Sequence, residues 1–320
     1  MRYRKHPAVL LVAALVGGCS EAGQSPTTAP FTVDGRLPAY ASGGGGGKVI
    51  LPDGHQLDVA FDPNPPARTK NRVDYHGGPV MVDVQNIYFV WYGNWTADPA
   101  SVTNQEILSW VPSDFCGQPY TTMWRAYTDY LGNAPLGCIV FGGGPVDAYS
   151  HGASLSDADV ADVVRQNLIS GKLPQDPKGI YVVVSSADVQ ETSGFGTTYC
   201  AWHGRFDHNG APVRFGFLGL PDRNPTNCAP NGMGPNGTVG ADAAASHLVG
   251  LLSDIVTDPD LTGWSDKLGL EMADKCVWTY GTTYTAANGR RANFKFGQRD
   301  YLIQQLWVPS KGGGACQMRP

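Results

Sequence analysis

In the stretch Ser246–Asp258, SHLVGLLSDIVTD, an imidazole and a carboxylate stand seven residues apart, at His247 and Asp254. On a helix, positions i and i+7 share one face. Glu271 and Asp274 follow in EMADKC. An imidazole and carboxylates converging on one point are the donors of a metal centre, and a metal-bound water is a nucleophile for hydrolysis. The competing reading has His247 packed or hydrogen-bonded at the helix start, with Asp254 capping or solvated. A metal centre needs three ligands and an ordered outer shell. No cofactor is therefore expected, and His247, Asp254 and Glu271 are the candidates should a metal bind.

Other chemistry-bearing patterns are weaker. No serine sits in a Gly-x-Ser-x-Gly elbow, which argues against a serine hydrolase. Gly142-Gly143-Gly144 follows a strand-like run but lacks the lysine of a phosphate loop and reads as a tight turn. Trp91, Tyr92 and Trp95 cluster where a strand ends. Exposed, they would stack on sugar rings; buried, they would be core or rim packing.

The elements that must position these residues can be read from periodicity. Val80–Tyr92 alternates and is rich in β-branched and aromatic residues, as in a long strand. Asp98-Pro99 opens a helix towards Trp110. A second helix is predicted near Thr121–Leu131, a short strand at Gly137–Phe141, and a helix from Ser154 and Asp157 to Ile169. Ile180–Ser185, IYVVVS, is apolar throughout and predicts a central strand. Shorter strands are expected at Tyr199–Arg205 and Val213–Leu218, and an amphipathic helix at Ala241–Val256. The tail adds a strand at Ala292–Phe296 and a short helix near Tyr301–Trp307. This order predicts an α/β (α+β) fold, loop-rich, with a mixed sheet flanked by helices. A zincin-like layout would follow if the long helix carried a metal site.

Composition limits the function classes. Arg2, Arg4 and Lys5, the apolar run Ala8–Val16 and then Gly17-Gly18-Cys19 read as a secretory signal, too short to span as a mature helix. Val16-Gly17-Gly18-Cys19 is similar to a bacterial lipobox, in which the cysteine is lipidated and becomes the new N-terminus. Loss of residues 1–18 leaves 20 basic against 28 acidic residues, a net charge of −8. A nucleic-acid partner would demand a basic face, so none is expected. No later stretch reads as a membrane span, so membrane contact is expected through the lipid alone. Residues 19–72, with five glycines at Gly43–Gly47, read as a flexible tether, and 73–320 as a single domain. The expected location is outside the cytoplasm: anchored to a cell membrane, the outer one in a Gram-negative host, or extracellular.

Six cysteines remain besides Cys19, an even number that in an exported chain implies disulfides. Nearest-neighbour pairing, Cys116–Cys138, Cys200–Cys228 and Cys276–Cys316, brackets one local unit with each bridge. Breaking the last is expected to open the tail beyond Pro259. No Cys-x-x-Cys occurs, which weakens a zinc reading.

Four stretches together resemble the EXORDIUM (phosphate-induced protein 1) family of extracellular proteins. They are Tyr75-His76-Gly77-Gly78-Pro79 running into Ile87–Trp95; Cys200-Ala201-Trp202-His203-Gly204; Ala229-Pro230-Asn231 with Asn236–Asp242; and Gly297–Leu302 through Leu306-Trp307. The resemblance covers roughly residues 73–316 and implies an extracellular or wall-associated protein without settling a chemistry. It draws attention to His203, His76 and Asp242. The histidines could act as bases or orient a ligand; structurally, His203 would brace the turn beside Cys200 and Asp242 would order the loop before the helix. Some bacterial sequences with this tail carry a His-Glu-x-x-Glu or His-Glu-x-x-His metal motif, whose positions here are Gly250, Leu251 and Asp254. The first ligand and the general base are missing. The reading that follows is a non-catalytic, lipid-anchored protein binding a glycan or an envelope partner. The alternative is a degenerate or variant zincin-like hydrolase.

Overall fold

The computed structural model describes residues 72–96, 100–223, 225–229 and 233–320, with the backbone of two strands at 47–50 and 56–63. Those two are β1 (Gly47–Ile50) and β2 (Gln56–Pro63), followed by β3 (Asp74–Tyr75) and β4 (Gln85–Tyr92). Helix α1 (Ser101–Phe115) and the single turn α2 (Pro119–Thr122) lead to β5 (Ile139–Phe141), β6 (Val146–Asp147) and β7 (Ser154–Leu155). Helix α3 (Asp157–Ile169) precedes β8 (Gly179–Ser185), β9 (Gln190–Glu191), β10 (Tyr199–His208) and β11 (Ala211–Gly219). After α4 (Pro225–Cys228) comes the long α5 (Val239–Thr257). Short strands and one 3₁₀ turn, Asp274–Cys276, follow it: β12 (Trp264–Ser265), β13 (Tyr284–Thr285), β14 (Arg291–Ala292), β15 (Phe294–Phe296), β16 (Arg299–Tyr301) and the hairpin β17 (Leu306–Ser310) with β18 (Gly313–Gln317).

The main sheet runs β1-β2-β10-β11-β8-β4-β5, with β6 also on β4. From β11 to β5 the strands are parallel, while β1, β2, β10 and β11 pair antiparallel. The sheet is mixed, as its sequence predicts. Alternation then divides the core. Ile87, Phe89 and Trp91 of β4 and Ile180, Val182 and Val184 of β8 meet Leu108 of α1 and Leu248, Leu252 and Ile255 of α5. On the other face, Val90, Tyr181 and Val183 meet Val160, Val164 and Leu168 of α3. Every residue of β8 is buried because both faces are covered. Helix α3 starts at a capping box in which Ser156 and Asp159 satisfy each other's backbone N–H groups.

Several expectations need correction. The stretch read as tether contains β1 and β2, which extend the sheet on the β10 edge. Cys19, the signal segment and Asp98-Pro99 lie outside the described residues. The helix expected at Thr121–Leu131 shrinks to α2 and one 3₁₀ turn, Met123–Ala126. There Asp129 accepts from the backbone N–H groups of Leu131 and Asn133, offering the chain a turn instead of a helix. No helix forms at Tyr301–Trp307. Its N–H groups are taken from elsewhere, Ile303 by the Asn293 side chain, Gln304 by Ser246 Oγ, Gln305 by Thr279 O and Trp307 by Met272 O. Helix α5 is long and apolar enough to cross a bilayer by length and composition, contrary to the sequence reading, but it is buried in the core from Gly240 to Thr257.

All three nearest-neighbour disulfides are present.

Candidate functional site

The last turn of α5 and the residue that caps it present Asp254 and Asp258 towards the segment Asp266–Cys276, and all the acidic side chains gathered there are buried. Asp254, Glu271 and Asp274 each offer an oxygen, and these atoms lie within 4.8 Å of one another. The segment is held in place by its own backbone. Ala273 N–H donates to Asp254 Oδ1 at 2.8 Å and Glu271 N–H to Asp274 Oδ2 at 3.1 Å. Asp258 Oδ1 accepts from Gly263 N–H at 2.6 Å. Burial, opposed by hydrogen bonds from Gly263, Thr262 and Glu271, pushes the Asp258 carboxyl up to about 6. Beside them Lys275 Nζ pairs with Asp266 at 2.8 Å, both side chains fully buried, and lies over the Trp307 ring.

His203 enters from the sheet. It sits on β10 opposite Gly216 of β11 and Ala60 of β2, and its Nε2 is 2.8 Å from Glu271 Oε2. Burial pushes the ring down to about 3, so it is neutral and meets the Glu271 carboxyl group through Nε2. Its Nδ1 has no hydrogen-bond partner among the described residues. His203 and Glu271 thus brace each other across the helix–sheet interface. Three carboxylates without a thiolate or a directly ligating imidazole form a hard-oxygen set, suited to Ca²⁺, Mg²⁺ or Mn²⁺ more than to Zn²⁺. A proton on Asp258 lowers the same buried negative charge without an ion.

The remaining candidates are spread elsewhere. His247 does not join Asp254: its Nε2 contacts Cys228 O at 2.8 Å, its ring meets Trp278 edge-on, and burial lowers it to about 4. The nearby Cys200 and Cys228 are joined to each other and offer no thiolate. His76 is exposed, with Nε2 3.0 Å from Ser265 O. Its neighbour Gly78 lies so close to Thr262 that a Cβ would meet the threonine side chain at 2.2 Å. The motif therefore clamps the loop that donates to Asp258. Asp242 accepts from Asn236 N and Nδ2, and Asn236 Nδ2 reaches Asp300 O, which ties the loop before α5 to the C-terminal motif. Burial pushes Asp242 up to about 6. Pro230 and Asn231 of that region are outside the described residues.

Trp91, Tyr92 and Trp95 are buried, which corrects the reading of them as a sugar platform. Trp95 Nε1 donates to Tyr92 O and Val184 O, Tyr92 OH donates to Gly152 O, and the two indoles pack edge to face at 4.8 Å.

Two groupings escaped the sequence reading. Asp157, Glu191, Ser193 and Tyr199 form a hydrogen-bonded knot in which Ser193 Oγ contacts Asp157, Glu191 and Tyr199. Burial and the Glu191 charge push Asp157 up. Nothing in the spacing of these four residues announces it. The other is an open groove of about 640 Å³ beside β17 and β18, bordered by α2 and the segment Gly281–Thr282.

The phosphate-induced protein 1 conserved region matches residues 73–317. Two plant proteins from Arabidopsis thaliana are similar over most of their length. Protein EXORDIUM-like 3 is 28% identical over 278 residues, covering 74% of this chain and 80% of the relative. Protein EXORDIUM-like 5 is 26% identical over 273 residues, covering 74% and 75%. No solved structure is a significant match.

Proposed function

Because this chain belongs to the phosphate-induced protein 1 (EXORDIUM) family, we propose that it works outside the cytoplasm as a lipid-anchored, non-catalytic protein that binds a glycan or another component of the cell envelope. Three disulfides and extracellular-type relatives support export. One observation carries the non-catalytic reading: the acidic centre is sealed. His203, Asp254, Glu271 and Asp274 are each 0–2% exposed. A Cβ at Gly250, where the related motif has its first ligand, would meet Gln304 Nε2 at 2.5 Å. The place of that ligand is filled by an amide, and Leu251 stands where a general base would be. A hydrolase must admit substrate and water to its reacting groups.

The second reading, a variant metal-dependent hydrolase, is favoured by the convergence of Asp254, Glu271 and Asp274. Incubation of the purified full chain with isolated envelope polysaccharide separates the two. Co-sedimentation without new reducing ends is expected. Release of reducing ends, with one equivalent of metal by elemental analysis and both lost in Asp254→Asn, would overturn the proposal.

A further inference from the structure

We propose that the groove beside β17 and β18 is the ligand site and that it takes a neutral polysaccharide, an inference that rests on the glycan-binding reading above. At about 640 Å³ it has room for a few sugar units. Part of its polar lining is uncommitted. The Thr282 hydroxyl and the Gln317 amide make no hydrogen bond with the described residues, and Gln305 uses its Nε2 on Cys316 O while its carbonyl oxygen stays available. Amide and hydroxyl groups spaced along a groove match the vicinal hydroxyls of a sugar, each of which both donates and accepts. Phe294 supplies an apolar ring, stacked at 4.3 Å on Phe115 and held by it at a fixed tilt. Aromatic rings of this kind pack against the C–H faces of sugars.

Charge selects the neutral class. Arg319 is the one charged side chain among the lining residues, and the whole chain is acidic at −5. A polyanionic glycan would be repelled at long range and would find one cation to meet it. The floor is also pre-organised, which lowers the entropic cost of binding. Asn293 donates to Tyr280 O and Ile303 O and accepts from Ile303 N–H, and the Cys276–Cys316 bridge fixes β18.

Affinity electrophoresis of the full chain tests this, in native gels cast with dextran, mannan, hydroxyethyl cellulose or polygalacturonate. At least one neutral polymer is expected to retard the protein, while polygalacturonate does not. Thr282→Val and Gln317→Ala each remove one hydrogen-bonding group from a solvent-accessible side chain, and near-UV circular dichroism reports whether they remain folded. Each is expected to weaken retardation by about three- to tenfold, the net worth of one hydrogen bond. Wild-type retardation that both folded variants retain in full would overturn the groove and leave glycan binding standing. Retardation by polygalacturonate alone would overturn the neutral class. A wild-type chain retarded by none of the four would overturn the groove together with the glycan reading beneath it.

Discussion

Gly250 shows how one missing side chain reshapes a site. Its Cβ position lies 2.5 Å from Gln304 Nε2 and 3.4 Å from the Ala273 Cβ. Gln304 is buried and its backbone is pinned, N–H to Ser246 Oγ and C=O to Tyr120 OH, so only the end of its side chain can shift. Alanine in a helix interior is worth about 1 kcal/mol over glycine, whereas overpacking costs about 1–3 kcal/mol. Gly250→Ala is therefore expected to be neutral or destabilising in the native background, and stabilising by about 1 kcal/mol when Gln304 is already alanine. A double-mutant cycle in urea should return about 1–3 kcal/mol of coupling. Additive effects would mean that the amide does not fill the vacated position. Asp258 gives the centre a pH signature. Its folded pKa of about 6 lies above the ordinary carboxylate value, so its stabilising contribution is full below about pH 4 and is lost as pH rises through 6. His203 and His247 are shifted down, and their contribution runs the other way, lost as pH falls. The informative quantity is thus a difference. Between pH 4 and 7, Asp258→Asn should gain about 3 kcal/mol relative to wild type, two pKa units' worth at about 1.4 kcal/mol each. A pH-independent difference in urea midpoints would contradict the shift.

At the level of elements, the C-terminal hairpin is the piece whose attachment can be cut singly. Cys276–Cys316 closes a loop of 40 residues, worth about 3–4 kcal/mol in the chain-entropy model. The sequence alone suggested that its loss would open everything beyond Pro259. The packing narrows this, because Met272, Ala273, Tyr301, Ile303 and Leu306 belong to the main core. Cys316→Ser should therefore become protease-sensitive only after Leu306, as limited proteolysis with mass mapping would show. Cleavage between residues 260 and 300 would contradict that view. The same contrast explains what was legible beforehand. IYVVVS announces a strand covered on both faces, since burial patterns leave a period in the sequence; α5 was legible as a helix but as an amphipathic one, whereas it is buried all round from Gly240 to Thr257. The segment after Asp300 has apolar residues at helical spacing, yet its backbone bonds go to residues 246, 272, 279 and 293. Such pairing has no local trace. The centre was half legible for that reason. Asp254 and Glu271 stood out by type and position, whereas Asp258 and the Asp157–Glu191–Tyr199 knot depend on long-range folding.

For the whole molecule, the question is where it sits. The lipobox-like Val16–Cys19 predicts that Cys19→Ala moves the protein from the membrane pellet to the soluble fraction after export. Fractionation with a high-salt wash decides it, and a variant that still pellets with lipid would refute the anchor. Anchoring and the bridges are also linked through the order of synthesis. The three bridges join cysteines adjacent along the chain, at separations of 22, 28 and 40 residues. A chain threaded through a translocation pore from its N-terminus delivers its thiols in that same order. As each second thiol of a pair emerges, its partner is the one unpaired cysteine already outside, so oxidation on arrival yields the native set without reshuffling. A seventh thiol at Cys19 would emerge first and compete for Cys116, shifting every later pairing by one. Lipidation at Cys19, as proposed, would consume that competing thiol, so the group that would hold the protein to the membrane would also keep its oxidative folding in register.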